Sequence, residues 1–347
     1  MTEREHANAN DFDGRAYLPR TLYEAVTELR VRQPTIAEAL ARRRRRRTRL
    51  APDGKLVILA VDHPGRNNLA IQDDPLAMAD RHQYLARILR VLSHPGIDGV
   101  MSTPDLIEDL FILTGLIRDR GGPNVLDDRL VLGCLNRGGL PGTSWEMDDR
   151  FTAFTPRRLR ALGMDGAKLM VRVDPGDRGS LATLEASARA ISELAEAGLV
   201  AFLEPIPVVR EETGYRVQRS VRELAGAVTV ASALGASSLY TWLKLPTCAG
   251  FARVAGATTL PIVVLGGEAV GAPEPVLEDL HAAMRSGANV RGAMIGRNVV
   301  YPGADDPRAM AAAVAAIIHD GADVAGALAA MAAERGKDPR LVPCVEQ

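Results

Sequence analysis

The chain has 347 residues, 47% of them apolar, with 42 Lys plus Arg against 43 Asp plus Glu and a net charge of −1. This balance fits a globular protein with a large core and excludes a general binder of nucleic acid or of membrane surfaces. No apolar run reaches the roughly 18 to 20 residues of a membrane span, the polar N-terminus reads as no secretory leader, and Cys134, Cys248 and Cys344 are too scattered for a disulfide framework or a zinc site, as expected of a cytoplasmic protein.

Residues 1–52 read as a partly helical N-terminal extension. One or two short helices are expected over 25–40, followed by six consecutive arginines at 42–47. No aromatic residue interleaves with that run to stack on bases. It is therefore expected at a solvated helix end, or against an acidic neighbouring subunit, rather than on RNA or anionic lipid.

Residues 53–347 read as one domain in which short apolar runs alternate with segments of helical spacing. Strands are predicted over 56–61, 99–101, 130–135, 167–173, 199–204, 239–245, 261–265 and 292–295. Helices are predicted over 75–92, 104–120, 181–197, 220–234, 274–286 and 307–318. Strand-to-strand intervals of about 30 to 40 residues are the size of a βαβ unit, and eight units over about 250 residues fit a closed (β/α)8 TIM barrel. A doubly wound open sheet is the competing architecture, but its G-x-G-x-x-G fingerprint after the first strand is missing. Residues 322–335 read as an extra C-terminal helix on the barrel or on another subunit. The Gly-rich stretch 136–150 after the third strand is a candidate lid.

Barrels carry their chemistry at the C-terminal ends of the strands. Those ends bring Asp62 and His63 after the first strand, Lys168 in the fourth, Glu204 at the end of the fifth and Lys244 in the sixth. Gly266 and Gly267 follow the seventh, Gly296 and Arg297 the eighth. The lysines stand out. Only four of the 42 basic residues are lysine (Lys55, Lys168, Lys244 and Lys337), leaving 38 arginines, yet two of the four sit inside apolar strands. Arginine cannot replace lysine as an amine nucleophile, because its guanidinium stays protonated. A strand-end lysine snorkelling to solvent is the plain alternative for Lys244.

Strand alternation puts Tyr240, Trp242 and Lys244 on one face. Burial beside Trp242 and the charge of Lys168 would favour the neutral amine that attacks a carbonyl to form a Schiff base. Asp62 or Glu204 would move protons, although acids at strand ends also serve to cap loops or pair with arginine. The glycine turns after strands seven and eight sit where barrels bind phosphate, and Arg297 would add a charged contact. A metal-based route needs several converging ligands. Of six histidines only His63 falls at a strand end; His82, His94, His281 and His319 lie in or near helices and His6 in the tail. No metal and no cofactor is therefore expected. Cys248 reads as packing.

With these pieces in place the chain resembles the class I (Schiff-base) aldolases of the bacterial and archaeal fructose-bisphosphate and tagatose-bisphosphate type. The resemblance is carried by Leu59-Ala-Val-Asp-His63, Ala167-Lys-Leu-Met170, Phe202-Leu-Glu-Pro205, Leu243-Lys-Leu-Pro246 and Gly292-Ala-Met-Ile-Gly-Arg297, within about residues 55–300. It implies Lys244 as the Schiff-base lysine, with Lys168, Asp62 and Glu204 as its polar and acid/base partners. Gly266, Gly267, Gly296, Arg297, His63 and Trp242 are expected around a phosphorylated sugar. More narrowly, the chain is similar to actinobacterial aldolase-like barrels linked to inositol catabolism. That implies cleavage of 2-deoxy-5-keto-gluconate 6-phosphate to dihydroxyacetone phosphate and malonic semialdehyde. Deoxyribose phosphate, fructose bisphosphate and tagatose bisphosphate are alternative substrates, and a sugar-phosphate-binding barrel without turnover is the alternative of another class. A homo-oligomer is the general expectation for such an enzyme.

Overall fold

A computed structural model describes residues 12–337 and 339–342; His6 and Cys344 lie outside them. Among the described residues three helices precede the barrel: α1 (Gly14–Tyr17), α2 (Arg20–Arg32) and α3 (Ile36–Arg43). Eight strands then run parallel: β1 (Leu56–Ala60), β2 (Gly99–Ser102), β3 (Leu130–Cys134), β4 (Gly166–Val173), β5 (Val200–Arg210), β7 (Thr241–Leu245), β8 (Ile262–Leu265) and β9 (Val290–Ile295). Each bonds to the next, β4 pairs with β5, and β9 returns to β1, so the sheet closes. The eight-stranded barrel expected from the alternation is present.

The connecting helices are α4 (Arg81–Leu92), α5 (Pro104–Asp119), α6 (Pro156–Ala161), α7 (Gly179–Glu196), α8 (Val221–Ser232), α9 (Phe251–Ala255), α10 (Pro273–Met284), α11 (Arg297–Val300) and α12 (Pro307–Ala315). A π-helical turn, Ala316–Asp320, leads to α13 (Val324–Glu334), the additional C-terminal helix. Among the described residues no helix is long and apolar enough to cross a membrane.

The strands are buried on both faces, which is why they read as continuous aliphatic runs. In β1, Leu56, Ile58 and Ala60 point into the barrel with Leu132, Phe202 and Met294. Val57 and Leu59 point out to the main core beneath the helices. Several boundaries move for local reasons. The helix predicted from 75 begins at Arg81, because the Asp80 side chain caps it by accepting from the Gln83 amide at 3.1 Å. The sixth barrel strand starts at Thr241, and Leu239 before it is exposed.

One element was not anticipated. β5 continues past Glu204 to Arg210 and folds back as an antiparallel hairpin with β6 (Tyr215–Val217), standing over the barrel mouth. The Gly-rich 136–150 stretch is no free flap either. Its inner part is fastened by Asp149, which accepts from Arg66 Nη2 at 2.7 Å, Asn136 Nδ2 at 3.0 Å and the Gly139 amide at 2.9 Å.

The arginine run meets acidic residues of its own chain at the opposite end. Arg47 pairs with Asp98 at 2.7 Å, Arg45 with Asp128, and Arg44 and Arg46 with Asp165 at 3.1 and 3.2 Å. Those aspartates immediately precede β2, α-to-β turns before β3, and β4, so the run straps the N-terminal ends of three neighbouring strands.

Candidate active site

Alternation along β4 points Lys168, Met170 and Arg172 to the barrel axis, and along β5 Phe202, Glu204 and Ile206. The parallel register sets Met170 beside Glu204 and Lys244 beside Val263. Three short strand ends thereby converge on one carboxylate. Lys168 Nζ contacts Glu204 Oε2, and Lys244 Nζ lies 3.0 Å from Glu204 Oε1. Lys168 Nζ is also 3.6 Å from Asp62 Oδ2. All four groups are buried, with Lys168 at 2% and Lys244 at 8% side-chain exposure.

Burial dominates the electrostatics. It pushes the Lys168 ammonium down to about 7, helped by Lys244, Arg137 and Arg66 and opposed by Glu204. Burial works against the ionised Glu204 too, but the two lysines outweigh it and hold that carboxyl well below the usual range. His63 is kept neutral, first by burial and then by Arg297, Lys244 and Lys168; its Nδ1 is buried without a partner. Asp62 is occupied differently: it contacts the Arg137 guanidinium and accepts from the Cys134 thiol at 3.2 Å. The Cys134 thiol is itself pushed up to about 12 by burial.

A cavity of about 270 Å³ opens above these groups. Asp62, His63, Lys168, Glu204 and Lys244 line it, and Gly266, Gly267, Gly296 and Arg297 form one rim. That rim is braced. Arg297 Nη2 donates to the Gly267 carbonyl at 3.0 Å, and Asn298 Nδ2 to the Gly266 and Glu268 carbonyls at 2.6 and 2.8 Å. Glycine is required at two of these positions: Gly267 has φ +67°, and a Cβ on Gly296 would lie 1.9 Å from the Ala60 carbonyl oxygen.

Trp242 is not brought to the cavity. Two residues before Lys244 on the inward face, it lies one layer deeper, packed on Phe202 with ring centroids 5.8 Å apart, and so forms part of the floor. Cys248 packs against the outer core, as expected. Among the described residues no three or more His, Cys, Asp or Glu side chains gather in a metal-binding cluster.

The sequence reading missed the cationic upper wall. Arg66, Arg172 and Arg219 also line the cavity. Arg172 continues the inward alternation of Lys168, and that spacing was the available signal. Arg219 lies two residues beyond the unforeseen hairpin and offered none.

The profile of the Cgl0159-like family matches residues 54–317. The crystal structure of Cgl0159 from Corynebacterium glutamicum is 38% identical, superposes with a TM-score of 0.81 and covers 88% of this chain and 99% of its own. An archaeal fructose 1,6-bisphosphate aldolase shares the fold at 19% identity and a TM-score of 0.53, over 82% of this chain and all of its own. Among curated proteins, 2-amino-3,7-dideoxy-D-threo-hept-6-ulosonate synthase of Halobacterium salinarum is 27% identical over 289 residues, 82% of this chain and 94% of its own.

Proposed function

The chain belongs to the Cgl0159-like family, and from that premise we propose that it is a metal-independent class I aldolase, a lyase whose Schiff base forms on Lys244. The observation that carries this reading is the single carboxylate of Glu204 held between two buried amines. The names of its relatives, a fructose 1,6-bisphosphate aldolase and a ulosonate synthase, support the same chemistry.

The ketone of a phosphorylated sugar would enter with its phosphate against the Gly266–Gly267 turn, Gly296 and Arg297. Neutral Lys244 attacks the carbonyl carbon, and the carbinolamine loses water, with ionised Glu204 accepting protons and the Lys168 ammonium it contacts supplying them, to give the iminium. A base takes the proton from the hydroxyl on the β-carbon, the bond between the α- and β-carbons breaks, and its electron pair passes into the iminium to leave an enamine. The released fragment departs as an aldehyde. Protonation of the enamine carbon and addition of water then free the second product and restore the amine. Glu204 is the principal proton acceptor in this scheme, because it touches both amines, whereas Asp62 is turned to Arg137 and Cys134. The substrate favoured by the resemblance is 2-deoxy-5-keto-gluconate 6-phosphate.

Trapping with borohydride in the presence of dihydroxyacetone phosphate, followed by peptide mapping, tests the assignment. The expected adduct is on Lys244. An adduct elsewhere, or none, overturns it. Lys244→Met should lower kcat by about 10⁴-fold or more while the fold is retained, since no arginine in the cavity can take over as nucleophile. Products formed from a panel of aldehydes and dihydroxyacetone phosphate then define the substrate.

A further inference from the structure

The Asp62 carboxylate has more claimants than it can serve. Its Oδ2 lies 3.6 Å from Lys168 Nζ, near enough to help hold that lysine as an ammonium. The same oxygen touches the Arg137 guanidinium and accepts from the Cys134 thiol at 3.2 Å. Arg137 is anchored there through its own backbone. The Leu135 amide donates to the Lys168 carbonyl at 3.1 Å. Fully buried Asn136 accepts from the Met170 amide at 2.9 Å and donates to the Met170 carbonyl at 2.6 Å. The chain leaving β3 is thus stitched to β4. From that root Arg137 Nη1 donates to the Asn136 carbonyl at 3.0 Å and Nη2 to Cys134 Sγ at 2.7 Å, with the side chain only 6% exposed.

A guanidinium keeps its proton, so Arg137 is a fixed cation, and among the described residues Asp62 is the carboxylate it contacts. The groups facing Lys168 come from several elements. Glu204 on β5 touches it with one oxygen and meets Lys244 of β7 with the other. Asp62 and His63 follow β1, and His63 is neutral. The Cys134 thiol, beside Lys168 in the register of β3 and β4, is neutral too. Arg66 and Arg137 stand on the loops after β1 and β3, and Arg66 is matched by Asp149 at 2.7 Å. With Arg137 matched by Asp62, the two amines are left one carboxylate between them. Without Arg137, Asp62 becomes a second carboxylate and both amines stay protonated. In keeping with this, Arg137 is among the groups that, after burial, lower the Lys168 ammonium to about 7.

We propose that Arg137 is a positioning residue: it draws the Asp62 carboxylate off Lys168, so that the two lysines share Glu204 alone and one of them is free of its proton at neutral pH. This deepens the aldolase reading and rests on it for its catalytic meaning. The charge balance itself belongs to the resting protein, where it is measured without substrate.

Having only four lysines makes the chain readable by titration. Protein labelled with carbon-13 at the lysine ε-carbons gives one signal per lysine, and the signal lost in Lys168→Met is that of Lys168. Its wild-type midpoint is expected at about 7. Arg137→Met should raise that midpoint by about one pH unit or more, and Asp62→Asn, which strands the guanidinium, should lower it by a similar step. The double variant should return to within about half a unit of the wild type, because the pair it removes is neutral as a whole. In turnover, Arg137→Met should lower kcat/KM about tenfold at pH 6 and leave it within about threefold of the wild type at pH 9. Opposite single shifts that cancel in the double variant are not produced by lost packing. A midpoint unmoved in Asp62→Asn, single variants that shift the same way, or a loss of kcat/KM equal at every pH overturns the clamp. Should Arg137→Met not fold, Asp62→Asn and the double variant decide it alone. Midpoints that move as stated while borohydride traps no adduct defeat the aldolase reading and leave the clamp; an adduct on Lys244 with unmoved midpoints defeats the clamp and leaves the aldolase.

Discussion

At the scale of single residues, the site works by placing more positive charge around Glu204 than one carboxylate neutralises. Two ammoniums share it in a dry barrel, and the cheapest relief is loss of one proton. The group that carries this shift, to about 7, is Lys168, the deeper of the pair. Once neutral, Lys168 is available to take up the proton that Lys244 must lose before it attacks, the two amines meeting on Glu204. Attack needs a neutral amine. Hence kcat/KM should rise with pH through about 7, and the limb should disappear from the profile of Lys168→Met, measured between pH 5.5 and 9. A wild-type profile flat across that range would remove Lys168 from the mechanism. Glu204→Gln keeps the shape but neither neutralises the lysines nor moves protons. It should reduce kcat by about 10²- to 10⁴-fold, the usual contribution of a positioned acid or base.

At the scale of elements, the arginine run illustrates how far local reading extends. An acidic partner for it was foreseeable, but which residues supply it was not, because they lie 51 to 121 residues away. The acidic partners of Arg44 to Arg47 are aspartates of the same chain. The strap is uneven in strength. Arg44 is buried and bonds Asp165 and the carbonyls of Arg129 and Gly163, whereas the Arg45–Asp128 pair is exposed on both sides. Arg44→Met should therefore cost about 3 to 5 kcal/mol by leaving Asp165 short of a buried partner, and Arg45→Gln less than about 1 kcal/mol, both read from urea unfolding. The same contrast explains what was visible at the site. Lys168, Glu204 and Lys244 announced themselves as charged residues in apolar strands of an arginine-rich protein. Arg172 hid among 38 arginines, and Arg219 depended on a hairpin whose strand β6 has only three residues, too few to show a period. Trp242 was placed on the correct face but one layer too high, because face is set by parity whereas depth depends on the stagger of neighbouring strands.

At the scale of the whole molecule, the two ends of the barrel divide the labour. The C-terminal end keeps an excess of cations and an unpartnered imidazole nitrogen, while the N-terminal end is closed by matched ion pairs, the division between activity and stability that such barrels allow. His319 is the knot of the closed end. It sits on the π-helical turn after α12, with Nδ1 2.7 Å from Asp53 and Nε2 3.1 Å from Asp98, the aspartate that also holds Arg47. The Asp98 hydrogen bond, against the cost of burial and with help from Asp53, raises its pKa to about 9. A histidine whose folded pKa exceeds its unfolded value of about 6.5 contributes stability that is fully present below 6.5 and drains away as pH climbs through 9. The wild-type protein should thus lose Tm between pH 6 and pH 10. His319→Gln, which keeps a hydrogen-bonding side chain but cannot become a cation, should start from a lower Tm at pH 6 and lose less over the same interval. Parallel Tm curves for the two proteins would show that the C-terminal segment is held to the barrel floor by packing between α12, α13 and the strands rather than by this charge.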